Sequence, residues 1–505
     1  MLSTERESAA AREQGAREPA EPERPARRRR MGLFAGLALF ALVLAAPTGM
    51  PAPAQRTAAV AVLMATWWMT EALPLAATSL LPIVLFPLLG VLRPEPAAAP
   101  YANPVIFLFM GGFLLALAME RWGLHRRLAL AVVASVGVQP RRLVLGFMLA
   151  TAFISLWISN TATAAMMLPI GLALAELLRP REPDAAFPFG TALMLGIAYG
   201  ATIGGVGTLI GTPPNAVFAA AARELAGREI GFAEWMKVGL PVVALLLPIT
   251  WALLVYVLFP PGQLPAGAAA LLAAERERLG PATRGERLTA AVFALTALGW
   301  LVREPKQIGG LRIPGLADLA PGLDDSTIAM GGALLLFLLP VDWRKGEFVL
   351  DWGAARRLPW GVLLLFGGGL SLARAFEESG LTALVAQAVA GLAGLPAWLL
   401  LAIVVATLIF VSELTSNTAL AAMAMPLLAA AAVGVGQDPL VLMAAGALAA
   451  STAFMLPVGT PPNALVFGTG YVRMGEMVKA GFGLNLISIV LVTVVAYLVV
   501  GWAFG

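Results

Sequence analysis

Ser159-Asn160-Thr161 recurs as Ser416-Asn417-Thr418, and each tripeptide is followed later by Gly-Thr-Pro-Pro-Asn, at Gly211 to Asn215 and at Gly459 to Asn463. Both tripeptides sit inside apolar stretches. Serine, asparagine and threonine bond to nearby backbone and compete with helical pairing, so three in a row among apolar residues predict a broken helix. The tripeptides are 416 − 159 = 257 residues apart, and the same offset aligns Gly111-Gly112 with Gly368-Gly369, Glu120 with Glu377 and Gly123-Leu124 with Gly380-Leu381. An offset kept across separate motifs is an internal duplication. The pentapeptides are 459 − 211 = 248 apart, so the second copy lacks 257 − 248 = 9 residues, most simply in the loop holding Arg179 to Asp184.

Outward from the motifs, 59% of the 505 residues are hydrophobic and 13% are charged. The mean hydropathy is +0.83. Apolar runs of roughly 20 residues, the length that crosses a bilayer as a helix, recur along the chain. Outer-membrane barrels alternate polar and apolar residues in short segments, which these runs do not. The fold class is therefore an all-α polytopic membrane protein. With no cysteine and one histidine, His125, disulfides, thiolate metal sites and histidine clusters are excluded. His125 itself is expected to be a solvated loop residue. A net charge of +4 does not point to nucleic acid, because the basic residues gather at helix ends and loops.

Residues 1–30 are rich in Ala, Glu, Arg and Pro, without apolar period, and are expected to form a disordered cytoplasmic tail. Met31 to Ala46 then reads as a signal anchor, the competing reading being the apolar region of a signal peptide. Pro104 to Arg121 and Pro359 to Glu377 carry glycines at their middles, which suits re-entrant hairpins turning back at Gly111-Gly112 and Gly367 to Gly369. The alternative is an ordinary helix with small residues for packing. Arg121, Arg126, Arg127, Arg141 and Arg142 follow the first such segment, whereas Trp398 and Leu399 stand where Arg141 and Arg142 would repeat. Basic loops face the cytoplasm, so the two copies are expected to have inverted topology. Inverted repeats around broken helices are the plan of many secondary transporters.

Breaking a helix at Ser-Asn-Thr exposes the amides of the helix that starts beyond it, whose positive end attracts an anion, while freed carbonyls can hold a cation. Neutral donors suit a carboxylate. Ser155 and Ser412 stand one helical turn before the tripeptides, facing Ser159 and Ser416. With carbonyls at the breaks and near Gly211 or Gly459, these hydroxyls make an uncharged oxygen cage for a hard monovalent cation. Of the acids in apolar segments, Glu71, Glu120, Glu377 and Glu413, the last is expected to make a structural hydrogen bond, not to relay protons, since one step along a helix turns it away from Ser412.

These residues resemble the divalent-anion/sodium symporters, the family of bacterial dicarboxylate transporters and mammalian sodium-coupled dicarboxylate and citrate carriers. The match runs from Trp67-Trp68-Met69-Thr70-Glu71 to near the C-terminus. The resemblance implies a homodimer in the lipid bilayer, about 11 transmembrane helices plus two hairpins, a scaffold and a transport domain, and elevator-type alternating access. It also implies substrate contacts from Ser159, Asn160, Thr161, Ser416, Asn417, Thr418, Thr460 and Pro461. One sodium would lie at Ser155, Ser159, Asn160 and Gly211, the other at Ser412, Ser416, Asn417 and Gly459. Ser412 replaces a threonine usual in the family and keeps the hydroxyl. Ile158 to Pro169 and Thr415 to Pro426 hold no basic residue, which favours cation coupling over sodium-independent exchange.

The expected organisation is a tail (1–30), N-terminal scaffold helices (31–102), a first transport repeat (103–222), scaffold helices and an inter-repeat loop (223–358), a second transport repeat (359–470) and a C-terminal helix (471–505). The expected function is sodium-coupled symport of dicarboxylates such as succinate, malate or fumarate across the cytoplasmic membrane, with a cytoplasmic N-terminus. The partners are the dicarboxylate anion and co-transported sodium ions, with no cofactor and no nucleic acid. Sodium-independent exchange, and sodium-coupled citrate or sulfate transport, are the alternatives. An enzyme is not expected, since no nucleophile with a base, metal cluster or phosphate loop is present.

Overall fold

Glycines spaced four apart let two helices approach closely, and the chain begins in that way. The computed structural model describes residues 26–179, 187–262, 267–308 and 311–504. Helix α1 (Ala26–Ala45) lies on α2 (Ala52–Thr70), with Gly32 against Thr70 and Gly36 against Trp67. The Trp67 indole donates to Leu33 O at 3.2 Å. Arg27 to Arg30 form the first turns of α1 and not the end of a tail, because arginine is a good helix former whose head alone needs water. The remainder of the expected tail, 1–25, lies outside the described residues, as does 180–186, which takes in all but Arg179 of the loop from Arg179 to Asp184.

The duplication is visible helix by helix. The first copy runs α3 (Pro104–Arg121), α4 (Leu124–Val136), α5 (Pro140–Ser155), α6 (Asn160–Leu177), α7 (Pro188–Gly205), α8 (Pro213–Ala226) and α9 (Phe232–Ala252). Helices α10 (Arg284–Val302) and α11 (Asp325–Leu338) intervene. The second copy is α12 (Trp360–Glu378), α13 (Leu381–Val389), α14 (Ala397–Ser412), α15 (Asn417–Gly434), α16 (Pro439–Ala450), α17 (Pro461–Phe467) and α18 (Met474–Val495). Both ends of α5 and α6 recur 257 residues later in α14 and α15. Gly123 and Gly380 turn the corners before α4 and α13 at φ 71° and 76°, a conformation that only glycine adopts freely.

The hairpins lie at the tripeptides, not at the glycine pairs. Helix α3 runs uninterrupted through Gly111 and Gly112, and α12 through Gly367 to Gly369. These glycines permit close packing: a Cβ on Gly111 would stand 2.7 Å from the Ala329 backbone of α11, and one on Gly368 2.8 Å from Ser79 Cα. The chain reverses between α5 and α6 instead. Gly196, Gly200 and Gly204 of α7 meet α5 at Val144, Met148 and Ala152, in parallel order, whereas Gly171 and Asn160 of α6 meet Ile197 and Gly205, in antiparallel order. In the second copy, Gly446 of α16 likewise faces Leu408 of α14 and Leu428 and Met425 of α15.

The two copies embrace each other. Helix α8 packs on α12, α15 and α16, while α17 packs on α6 and α7. Tyr199 of α7 donates from its hydroxyl to Phe454 O at 3.0 Å, with the rings edge-on at 5.3 Å, and Thr191 donates to Tyr471 O at 3.0 Å.

Six helices among the described residues are long and apolar enough to cross a membrane, and Leu381–Leu392 with Ala397–Ser412 forms a further pair bent by 118°. Length alone recovers fewer than the expected eleven spans, since a broken span is divided into helices as short as α16 and α17. At one end of the molecule the basic residues after α3 are paired: Arg121 with Asp351, Arg126 with Glu275, and Arg127 with Glu286 at 2.8 Å. The inter-repeat loop thus contains a helix, Ala268–Arg278, that holds Glu275 in place. His125, expected to be solvated, is half-buried with Nδ1 2.8 Å from Met119 O, because it sits in the first turn of α4 and not in a loop.

Candidate functional site

A helix that starts inside a fold leaves its first N–H groups without helical partners. Here α6 and α15 start at Asn160 and Asn417, with Ser159 and Ser416 as N-caps whose hydroxyls accept from Ala162 N at 3.4 Å and Ala419 N at 3.5 Å. The N–H groups of Asn160, Thr161, Asn417 and Thr418 are left without backbone partners among the described residues. All four side chains, with Ser159 and Ser416, are half-buried. The Thr161 and Thr418 hydroxyls make no hydrogen bond within the described residues. Each tip is therefore a neutral, donor-lined helix N-terminus, of the chemistry that suits an anion.

Behind the first tip, oxygens converge. Ser155 is fully buried and donates to Ala201 O at 2.7 Å. In the orientation that satisfies its amide, Asn160 Nδ2 lies 2.8 Å from the Ser155 hydroxyl, 3.1 Å from Ala201 O and 3.3 Å from Gly211 O. A Cβ on Gly211 would stand 2.9 Å from Ser155 O and from Gly205 Cα, so the cage closes only on a glycine backbone. Ser155, Asn160 and Gly211 are thus brought together. The Ser159 hydroxyl is not: α5 ends at Ser155, so the four-residue helical spacing does not carry across the turn, and Ser155 meets Asn160 instead.

The second tip differs in its support. Ser412 is fully buried but its hydroxyl donates back to Ile409 O at 2.8 Å, and Asn417 Oδ1 is buried with no hydrogen-bond partner. An acceptor left unpaired in the interior costs about 1–3 kcal/mol unless something polar reaches it. Glu413, 1% exposed, accepts from Phe454 N at 2.7 Å, Met455 N at 2.8 Å, Leu456 N at 2.9 Å and Asn485 Nδ2 at 2.8 Å. That is the expected structural role, extended to four donors. The carboxylate also lies against Gly459, whose added Cβ would be 2.8 Å from Oε2. Thr460 is buried and caps α17, accepting from Asn463 N at 3.3 Å, while Pro461 is exposed.

Sequence reasoning missed the residues that hold the breaks. Asn215 Nδ2 donates to Thr208 O at 2.7 Å, and its counterpart Asn463 donates to Leu456 O at 3.1 Å, the same bond in both copies. These asparagines close each Gly-Thr-Pro-Pro-Asn motif, so the repeated pentapeptide was the available signal. Ala201 and Gly205 act through backbone and carried none. No hydrogen bond joins the two tripeptides among the described residues.

The description "sodium:sulfate symporter transmembrane region" belongs to a family model that matches residues 28–503. Similar curated proteins include the sodium-dependent dicarboxylate transporters SdcS of Staphylococcus saprophyticus and Staphylococcus aureus. Each is 42% identical over 485 residues, covering 94% of this chain and 92% of the relative. Among solved structures, the Alcanivorax borkumensis YdaH transporter aligns with a TM-score of 0.56 at 17% identity, covering 90% of this chain and all of that one. Neisseria gonorrhoeae MtrF aligns at 0.57 and 13%, covering 92% and 97%. These two speak to the fold alone.

Proposed function

Because the chain belongs to the sodium:sulfate symporter transmembrane family and is a multi-pass membrane transporter, not an enzyme, we infer that it couples the uptake of a dicarboxylate to sodium. The observation that carries this is the convergence of the Ser155 hydroxyl and the carbonyls of Ala201 and Gly211 on the Asn160 side chain behind the first tip, a neutral oxygen set that suits a hard monovalent cation. Two anion sites of neutral donors, one per repeat, match the two carboxylates of a C4 acid better than the single centre of sulfate. The relatives named for dicarboxylates support the same choice.

Sodium bound by Ser155, Asn160 and Gly211, and by Asn417 with Ser412 and Gly459, supplies the positive charge that the tips lack. Substrate carboxylates then reach the free N–H groups and hydroxyls at Thr161 and Thr418, with Ser159, Ser416, Thr460 and Pro461 around them. We assign residues 103–222 and 359–470 to a transport domain that moves like an elevator against a scaffold, in a homodimer of the cytoplasmic membrane with the N-terminus inside. If more than two sodium ions accompany a dianion, each net charge gains about 2.3 kcal/mol per 100 mV of potential.

The test is uptake of labelled succinate into proteoliposomes under an inward sodium gradient, with potassium and choline controls. Accumulation with sodium alone is the expected result. Uptake that needs internal dicarboxylate would make the protein an exchanger, and absence of succinate uptake in both would redirect the search to citrate and sulfate.

A further inference from the structure

The turn between Ser155 and Ser159 separates a cage ligand from the tip, and its three residues are anchored on two sides. Leu156 O accepts from the Thr208 hydroxyl, and the Leu156 side chain fills the space beside Gly207, which fastens the turn to the neighbouring break. Trp157 points the other way. Its ring stacks on Phe232 of α9 at 6.0 Å and 18°, and meets Phe293 of α10 edge-on at 5.0 Å and 87°. Phe232 in turn stacks on Trp300 of α10 at 4.4 Å and 19°. The far end is polar: Trp300 Nε1 donates to Asp325 O at 3.0 Å, Phe232 N donates to Asp325 Oδ2 at 2.6 Å, and Arg303 pairs with Asp325 at 2.8 Å.

Three stacked rings, with Phe293 at the edge of the first, therefore run from the first cage to an ion pair at the ends of α10 and α11. The Trp157 indole nitrogen is enclosed and has no acceptor among the described residues. A buried N–H without a partner is unfavourable, so the ring is held there by its faces and edges and not by a hydrogen bond. The position equivalent to Trp157, 257 residues on, is Leu414, which is 55% exposed, so the second tip has no such ring.

We propose that Trp157 is a positioning residue for the first cation cage. By wedging the turn 156–158 against α9 and α10, it sets the separation of Ser155 from Asn160 and so the sodium affinity of that cage, without touching the ion or the dicarboxylate. The rings contribute through the backbone they hold, which is why the effect falls on sodium and not on the anion. This rests on the sodium-coupled reading above.

The experiment is a sodium titration of succinate uptake by the wild type, Trp157→Ala and Trp157→Phe in proteoliposomes, with sodium protection against thermal unfolding measured on the same purified proteins. Groups that orient metal ligands typically change affinity about 10- to 100-fold when removed. Trp157→Ala is expected to raise the sodium concentration for half-maximal uptake and half-maximal protection by roughly tenfold. Its succinate KM at saturating sodium stays near the wild-type value, and Trp157→Phe, which can still stack on Phe232, recovers most of the sodium affinity. A Trp157→Ala protein that is folded and has wild-type sodium half-saturation overturns the proposal, as does a fall in maximal rate with no change in either sodium curve. If Trp157→Ala does not fold, Phe232→Leu and Phe293→Leu, which loosen the same wedge, must shift the sodium curve, or the proposal fails. A wild type whose uptake ignores sodium would instead refute the coupling itself.

Discussion

Replacing Gly211 by alanine tests whether the first cage depends on close backbone approach. Gly211 is not among the residues with positive φ, so the added methyl brings no backbone strain and acts by volume alone. Its carbon would lie 2.9 Å from Ser155 O and 2.9 Å from Gly205 Cα, and closer still to Gly205 O. All three are main-chain atoms, which cannot swing aside as a side chain can. Overpacking of this kind costs about 1–3 kcal/mol. If the strain is relieved by displacing the Gly211 carbonyl and the Ser155 residue from the cage, it is expressed as lost cation affinity, about 5- to 150-fold in the sodium concentration at half-saturation. The assay is the melting temperature of the purified protein as sodium chloride replaces choline chloride at constant ionic strength, because a bound ion stabilises with the logarithm of one plus its concentration over its dissociation constant. Gly475→Ala serves as control, since a Cβ there meets nothing within 4 Å. Sodium curves of folded Gly211→Ala that superimpose on the wild type would refute the cage.

The remaining expectations are of different kinds. Asn160→Ala and Asn417→Ala each remove a cage oxygen and a residue of the anion site, and each should abolish sodium-dependent succinate uptake while the purified protein still elutes as one folded species. Glu413→Gln keeps the shape but presents an amide N–H to one of the backbone donors at 454–456, which should cost about 1–3 kcal/mol and lower the melting temperature. The Asp351 carboxylate accepts from Ala354 N at 2.8 Å and pairs with Arg121, which together hold it below the usual carboxylate range. A folded pKa below the unfolded one gives stability that is present at neutral pH and lost as pH falls through the folded value. The melting temperature should therefore decline more steeply on acidification in the wild type than in Asp351→Asn.

The helix breaks were legible because their cause is local: Ser-Asn-Thr competes with its own helix wherever it stands, and duplication singled it out. The glycine segments were not, since Gly111-Gly112 serves equally a turn or a tight contact, and only Ala329, over two hundred residues away, decides for contact. Glu413 could be assigned a structural bond from its place beside Ser412, but its four donors come from segments 41 to 72 residues distant. The cage was half legible. Asn160 and Gly211 belong to motifs, whereas the Ala201 carbonyl is invisible in a side-chain code, and the Ser155 to Ser159 relation presumed a helix that in fact ends between them.

The mutual embrace of the repeats has a consequence for biogenesis. The hairpin at Ser159 is made early, yet α17, which packs on α6 and α7, begins only at Pro461. Contacts between segments so far apart in the chain form late and slowly. A ribosome releases roughly 5–20 residues per second, so the first half-site waits many seconds in the bilayer for the helix that covers it. During that interval the free amides and carbonyls of the first tip have no companion from the second repeat, and water or lipid headgroups must satisfy them. Assembly of the site is thus an event of chain completion, shared between two ends of the protein that are synthesised far apart in time.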